Sequence, residues 1–245
     1  MEFRVWQIIG TSFRVWFRNF IPFTLLSALI HLPLWIWLWR IFGHPPTAET
    51  LAEIERYNRF AWLASLAVNL FLTSMFTYAV VMQLRGAPAS IGRSLLVGVT
   101  RFVPALGVTL LVVVALVLGF LAIIVPGVVL YCMLYVAVPA SVIERPGVAG
   151  ALRRSRELTM GHKGPIFGML LVMFLAAFLV GVALGALSPP PERMTWDDVQ
   201  RLTIESAVVE TFVSSFMATL AAVTYARLRE LKDGVSAVEL ARVFD

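Results

Sequence analysis

The chain has 245 residues, of which 59% are apolar and only 14% are charged, and its mean hydropathy is +0.84. Soluble domains usually carry about 45–50% apolar and about 25% charged residues, which excludes a water-soluble enzyme or nucleic-acid-binding protein. Disorder is excluded as well, because disordered chains are poor in large apolar residues and rich in charge. The composition therefore predicts an integral membrane protein.

Six segments are long and apolar enough to cross a bilayer, whose hydrocarbon core of about 30 Å needs about 20 helical residues. Their continuous apolar character favours helices over the alternating strands of a β-barrel. Pro126 and Gly127 are expected to form the turn between the third and fourth segments, because Pro cannot continue a helix and Gly permits a turn. The six predicted spans are Phe20–Trp39, Phe60–Leu84, Ala105–Val125, Gly127–Ile143, Gly164–Leu187 and Ala207–Ala226.

The distribution of positive charge predicts the orientation of these spans. Fifteen of the 20 Lys and Arg residues fall on the side of the membrane that holds both termini. Because Lys and Arg are enriched in cytoplasmic loops, we expect the N- and C-termini to be cytoplasmic. The membrane topology thus accounts for the net charge of +5, and no nucleic-acid partner is expected.

The loop over residues 188–204, on the opposite side, contains a helix-start signal. Thr195 is followed three residues later by Asp198. A hydroxyl and a carboxylate at this spacing are typical of a capping box, in which each side chain binds the backbone N–H of the other. A short helix is therefore expected to begin at this point.

Three cytoplasmic segments precede spans one, three and five, and each has the spacing of an amphipathic surface helix. A Pro disfavours helix at the preceding residue and is accepted in the first turn of the next helix, so each aligned Pro predicts a corner between a surface helix and a span. The alternative is a chance coincidence of Ser and Pro near helix starts. The segments align without gaps, since Ser12, Ser94 and Ser155 are each followed ten residues later by Pro22, Pro104 and Pro165.

The predicted fold is thus a single all-α integral membrane domain over residues 1–245. Its six transmembrane helices form three parallel repeats of an amphipathic surface helix plus a transmembrane hairpin. The repeats cover approximately residues 1–84, 85–144 and 145–232, and a short cytoplasmic tail follows over 233–245.

The basic surface helices carry the first set of candidate functional residues. A basic helix lying at the membrane surface favours anionic lipid, and an acidic protein partner is the other candidate. The alternative is that these charges only determine topology. The predicted lipid- or partner-binding face consists of Arg14, Arg18, Arg93, Arg101, Arg153, Arg154, Arg156 and Lys163.

Polar residues within the spans form the second set, because polar groups in hydrocarbon are costly and often functional. Glu210 is the one acidic residue inside a predicted span, and it is a candidate proton, cation or headgroup contact. His31 is a similar candidate but lies deeper in the first span, where we expect it to form a hydrogen bond between helices. Asn69 is expected to hold helices together.

No catalytic or metal-binding set is present in the sequence. His31, His44 and His162 are scattered, and no Cys, His or carboxylate spacing is typical of a metal site. Nucleophile elbows, phosphate-binding loops and dinucleotide motifs are also absent. We therefore expect a protein that is not an enzyme, with no catalytic residues, cofactor or metal, and the single Cys132 excludes an intramolecular disulfide.

Several short motifs are distributed over about three quarters of the chain. They are Thr77-Tyr78-Ala79-Val80-Val81 through Leu84-Arg85-Gly86, Pro126-Gly127-Val128-Val129-Leu130, Pro139-Ala140, Glu144, Ala151-Leu152-Arg153-Arg154-Ser155-Arg156-Glu157-Leu158-Thr159, and Tyr225-Ala226-Arg227-Leu228-Arg229 with Asp233-Gly234. Together these motifs resemble one known family, the membrane domain attached to some glycerophosphoryl diester phosphodiesterases, with relatives such as the YciC-like bacterial inner-membrane proteins.

The resemblance implies a six-helix bacterial inner-membrane protein without phosphodiesterase chemistry, which in those enzymes belongs to a separate soluble barrel domain. We expect a non-enzymatic role in envelope or lipid organisation, or as an accessory or scaffold subunit that binds a membrane partner through the basic cytoplasmic helices. The expected partners are anionic lipids on the cytoplasmic face, and a membrane protein or a second copy of the chain. The alternative is a small transporter or channel with a polar site between repeats around Glu210 and His31.

Overall fold

The computed structural model describes residues 3–42, 47–87 and 89–234. This part of the chain forms nine α-helices and one 3-10 helix and contains no β-strand. His44 and the tail beyond Gly234 lie outside the described residues. The helices are α1 (Val5–Arg18), α2 (Phe20–Phe42), α3 (Ala48–Leu84), α4 (Ile91–Ala122), α5 (Ile124–Leu134), α6 (Ala137–Glu144), α7 (Gly147–Thr159), α8 (Lys163–Ala186) and α9 (Trp196–Asp233), with the 3-10 helix Pro191–Arg193 before α9.

Six helical segments are long and apolar enough to cross a membrane: α2, α3, α4, α5 together with α6, α8 and α9. The all-α class and the six predicted spans are confirmed at this level. Helices α3 and α9 have 37 and 38 residues, so each is about 56 Å long at 1.5 Å per residue. Both helices therefore extend well beyond a hydrocarbon core of about 30 Å.

The capping box predicted in the 188–204 loop is present, but its helix is not short. The Thr195 backbone N–H donates to the Asp198 carboxylate over 3.0 Å, and the Asp198 N–H donates to Thr195 Oγ1 over 3.3 Å. From this cap α9 continues without interruption to Asp233. The helix expected outside the membrane is thus the first part of the sixth span.

Helices α3 and α9 form the centre of the bundle and pack against each other along their length. Small residues on α9, such as Ser215, Ala218 and Ala222, are buried and allow the neighbouring backbones to approach closely. That small-residue face is therefore used for packing within the chain. Helices α4 and α8 lie outermost, and their exposed apolar side chains, including Phe174 and Phe178, form the surface expected to meet lipid chains.

The corner predicted between the first surface helix and its span is present at Asn19. Helix α1 ends at Arg18 and α2 begins at Phe20, which places Pro22 in the first turn of α2. The Asn19 side chain donates to the Val15 carbonyl over 2.8 Å and accepts from Gln83 Nε2 over 2.6 Å. The third segment has the same arrangement, since α7 ends at Thr159 and Pro165 lies in the first turn of α8.

The predicted corner at Pro104 is wrong. Helix α4 runs unbroken from Ile91 to Ala122, so the second amphipathic segment is continuous with the third span. Proline removes one backbone N–H from the helical ladder and crowds the preceding turn, but spanning helices tolerate it because packing and neighbouring groups compensate. Ala105 and Val108, in the following turn, are fully buried against the bundle, which holds the helix in one piece.

The turn between the third and fourth spans is centred on Ile123 and not on Pro126-Gly127 as predicted. Helix α5 begins at Ile124, so Pro126 lies in its first turn, where the missing N–H would have no helical partner. Gly127 serves close packing: a Cβ at this position would lie 2.5 Å from Phe120 Cδ1 on α4. The glycine thus allows α4 and α5 to approach closely just after the turn.

Gly127→Ala is expected to lower the free energy of unfolding by up to about 2 kcal/mol, because the clash of the new methyl group with the Phe120 ring costs about 1–3 kcal/mol and the preference of alanine for helix offsets up to about 1 kcal/mol. Thermal unfolding in detergent measures this loss. Gly181→Ala in α8 is the matched control, since a Cβ there meets open space and alanine favours helix by up to about 1 kcal/mol. Equal melting temperatures for the two variants would contradict this packing role.

The fourth span is interrupted at Tyr135 and Val136, between α5 and α6. Such a break leaves carbonyl groups without helical partners. Helix α7 supplies a missing donor: Ser155 Oγ donates to the Met133 carbonyl over 2.8 Å. Thr159 Oγ1 lies 3.2 Å from the same carbonyl oxygen, but its closer acceptor is the Ser155 carbonyl at 2.9 Å. Because both side chains are fully buried, α7 is docked onto the broken span by one face and exposes the other.

Candidate functional site

Helix α1, the start of α4, α7 and the end of α9 meet at one end of the bundle, which we call the arginine-rich end. Most of the predicted basic residues are exposed there, but three are not. Arg101 and Lys163 are half-buried, and Arg154 lies within an ion-pair network. The exposed members of the predicted face are Arg14, Arg18, Arg93, Arg153 and Arg156.

The network around Arg154 is built on the carboxylate of Glu144, the last residue of α6. Glu144 Oε2 accepts from Arg154 Nε over 2.7 Å, and Oε1 lies 2.6 Å from Arg229 Nη1. The Tyr225 hydroxyl also donates to Oε1, over 2.8 Å. Asp233 pairs with both arginines, and its Oδ2 lies 2.7 Å from Arg229 Nε.

This network joins α6, α7 and α9 and balances two arginines with two carboxylates. Burial alone lowers the pKa of Arg154, but the carboxylates of Glu144 and Asp233 outweigh burial and raise its pKa above the ordinary value. The Arg154 guanidinium is therefore committed to partners within the protein. The sequence analysis assigned Arg154 to the lipid- or partner-binding face. Its ion pairs could not be predicted, because Glu144 and Asp233 lie 10 and 79 residues away in the sequence and no periodicity in α7 indicates them.

A second pair of arginines lies nearby, and no carboxylate balances its positive charge. Arg101 of α4 and Arg145, between α6 and α7, line a cavity of about 150 Å³ together with Pro104, Val108, Ser141 and Gly147. The two guanidinium groups are close enough to act on each other electrostatically. No carboxylate lines this cavity, and within the described parts of the chain neither arginine forms an ion pair.

The backbone around Arg145 fixes this arrangement. Arg145 adopts a left-handed conformation with φ 54° and ψ 41°, which costs an ordinary side chain about 1–2 kcal/mol. Helix α7 begins two residues later at Gly147, which also lines the cavity. The result is a small positively charged pocket. Arg145 was not among the predicted site residues.

A larger groove of about 530 Å³ lies at the same end between α1, the end of α3 and α9. Arg14 lines it, as do Trp6, Gln7 and Thr11 of α1. Its other arginine, Arg227, pairs with Glu230 over 2.5 Å, so the groove is less positive than the Arg101–Arg145 cavity.

The three intramembrane polar residues do not come together in one site. His31 is buried and its Nδ1 donates to the Ser27 carbonyl of the same helix over 2.8 Å, not to another helix. Glu210 is exposed on α9 near Tyr57 of α3. Asn69 donates to the Ser65 carbonyl of its own helix over 2.9 Å and lines a cavity that neither His31 nor Glu210 reaches.

The described residues contain no group of three or more His, Cys, Asp or Glu side chains that could hold a metal ion. No curated protein and no solved structure matches the chain. A family model does match residues 55–228, which is well over half of the chain and includes Arg101, Arg145, Glu144 and Arg154. The chain belongs to the family described as a domain of unknown function, DUF7847.

Proposed function

We propose that this protein is a non-enzymatic multi-pass membrane protein that organises lipid by binding anionic phospholipid headgroups at its arginine-rich end. The observation that carries the proposal is the convergence of Arg101 and Arg145 on one cavity that no carboxylate lines. Two like charges held together repel each other, and an anion between them relieves that repulsion. Guanidinium groups suit phosphate because their planar N–H donors can bind two oxygens at once.

The membrane context is part of the same proposal. The arginine-rich end faces the cytoplasm, since basic residues concentrate on that side of a membrane, and the cytoplasmic leaflet carries the anionic lipid. Trp6 is largely exposed on α1, and tryptophan favours the headgroup level of the bilayer. We place the protein in a bacterial inner membrane, in accordance with the resemblance to bacterial membrane domains.

The proposed architecture is three parallel repeats whose amphipathic surface helices surround the arginine-rich end. Ser12, Ser94 and Ser155 occupy the aligned position of the three units, and all three are buried, at 0%, 1% and 0% exposure. Equivalent burial of an aligned polar residue supports the repeat. The second unit differs from the others because its surface segment is merged with its span in α4.

Removing the charge of both arginines, by Arg101→Gln with Arg145→Asn, is expected to weaken binding of phosphatidylglycerol about 30-fold. Each arginine that hydrogen-bonds the phosphate contributes about 1 kcal/mol, and about 1.4 kcal/mol corresponds to tenfold in affinity. Asparagine tolerates the left-handed conformation of residue 145. Lipid titration of the full chain in detergent, followed by native mass spectrometry, measures the dissociation constant.

Arg153→Gln is the matched control, because this side chain is 80% exposed on α7 and lies 3.8 Å from Glu157. It removes one positive charge from the same end and is expected to change affinity less than about threefold. Wild-type affinity in the double variant would contradict the proposal. The accessory-subunit alternative predicts instead a co-purifying protein that is lost from the double variant while lipid binding is unchanged.

A further inference from the structure

The Arg101–Arg145 cavity holds two positive charges and no negative charge of its own. No carboxylate lines it, and the neighbouring Glu144 carboxylate already accepts from Arg154 and lies 2.6 Å from Arg229 Nη1. Guanidinium groups stay protonated at neutral pH, so both charges persist. A ligand with one negative charge therefore leaves one arginine unmatched, whereas a dianion matches both.

The size of the cavity limits which part of a headgroup it can enclose. Its volume is about 150 Å³, and one water molecule takes about 30 Å³ of the liquid, so it encloses about five non-hydrogen atoms, as many as one phosphate group contains. The Ser141 hydroxyl in its wall donates to the Val138 carbonyl over 2.7 Å. The side-chain donors that remain for a ligand are those of the two arginines.

Phosphate groups differ in how well they match two guanidinium groups. A phosphomonoester has three terminal oxygens and carries a charge of about −1.5 to −2 at pH 7, because its second pKa is about 6. A phosphodiester has two free oxygens and one negative charge, and its second substituent has to lie outside a cavity of this size. Since each guanidinium group can bind two oxygens at once, the monoester matches both the charge and the donors better.

The surface next to the cavity favours a lipid over a free phosphate. Arg101, Pro104 and Val108 of α4 line the cavity, and this spacing places them on one stripe of the helix. Leu111 continues the stripe about 10 Å beyond Pro104, away from the arginine-rich end, and is 44% exposed. An apolar path thus leads from the cavity along α4 into the bilayer, where an acyl chain can lie.

We propose that the Arg101–Arg145 cavity selects lipids of the phosphatidic acid class, whose headgroup is a phosphomonoester, over lipids with phosphodiester headgroups. This selectivity rests on the proposed function, because it names the headgroup that the same site prefers. The phosphate lies between the two guanidinium groups, and an acyl chain follows α4 past Leu111. Phosphatidylglycerol binds through its phosphate with its glycerol outside the cavity, and therefore binds more weakly.

A comparison of phosphatidic acid with phosphatidylmethanol, at equal acyl chains, tests the selectivity in the wild-type protein. The methyl ester adds one carbon atom and removes one charge and one free oxygen. Native mass spectrometry of the full chain in detergent gives both dissociation constants. We expect phosphatidic acid to bind about tenfold more tightly, the effect of one charge-assisted hydrogen bond. Arg153→Gln should keep this preference, whereas Arg101→Gln with Arg145→Asn should bind both lipids weakly and without preference.

Competition with soluble phosphates separates a lipid site from a site for free phosphate. Glycerol 3-phosphate and inorganic phosphate should displace phosphatidic acid only at concentrations on the order of 100-fold higher, because neither places an acyl chain on α4. Displacement at concentrations equal to that of the lipid would overturn the lipid assignment. Equal wild-type affinities for the two lipids, both reduced in the double variant, would overturn the selectivity and leave the proposed function standing. Wild-type binding of both lipids by the double variant would overturn both.

Discussion

Glu144→Gln is expected to lower the free energy of unfolding by about 3 kcal/mol, the usual result of removing one partner from a buried ion pair. The Glu144 side chain is 17% exposed and bridges Arg154 and Arg229. Neutral glutamine leaves the two guanidinium groups with Asp233 as their one remaining buried carboxylate, because the other partner of Arg154, Glu157, is half-exposed. At this size, the apparent melting temperature in detergent should fall by about 6–12 °C.

Glu157→Gln is the control for this experiment. Glu157 also pairs with Arg154, at 3.6 Å, but its side chain is 51% exposed, so the expected loss is below about 1 kcal/mol. A second variant distinguishes charge balance from local damage: adding Arg229→Gln to Glu144→Gln restores the balance and should recover part of the loss. Equal melting temperatures for Glu144→Gln and Glu157→Gln would show that the ion-pair network does not hold α6, α7 and α9 together.

Removing both donors to the break of the fourth span is expected to have an effect of similar size. Ser155→Ala alone should cost about 1 kcal/mol, because the Thr159 hydroxyl, 2.9 Å from the Ser155 carbonyl and 3.2 Å from the Met133 carbonyl, can turn to donate to Met133. Ser155→Ala with Thr159→Val leaves that carbonyl unpaired in a buried position and should cost about 3 kcal/mol. Since the two hydroxyl groups share one acceptor, the combined loss should exceed the sum of the single losses.

Hydrogen exchange provides a local readout for this variant. Loss of the two donors should increase exchange across the α5–α6 break and at the start of α7, while the centre of α3 remains protected. Ser206→Ala is the control, because the Ser206 hydroxyl is exposed and bonds its own helix over 2.9 Å. Strictly additive losses, with unchanged exchange at the break, would contradict the role given to Ser155 and Thr159.

The elements predictable from sequence are those encoded by local pattern. Six apolar runs of sufficient length become six candidate spans, because a helix satisfies its backbone in lipid without distant partners. The capping box at Thr195 and the corners before Pro22 and Pro165 also depend on neighbours within a few residues. Pro104 shows the limit: the same residue at the same spacing lies inside a continuous helix, because packing around Ala105 and Val108 outweighs the local preference.

The site was less predictable because it depends on tertiary contacts. Composition and topology indicate a basic end, but not which arginines are neutralised within the protein. Arg154 is paired by Glu144 and Asp233, whereas Arg101 meets Arg145, a residue that lies outside the amphipathic segments. Glu210, the one acidic residue inside a predicted span, lies exposed on α9 and away from both arginine clusters.

Native mass spectrometry of the full chain, extracted gently from its own membranes, tests headgroup binding at the arginine-rich end most directly. We predict one retained anionic phospholipid per chain, present in Arg153→Gln and absent from Arg101→Gln with Arg145→Asn. A wild-type chain that carries only zwitterionic lipid, or that retains its anionic lipid after both arginines are replaced, would contradict the proposed function.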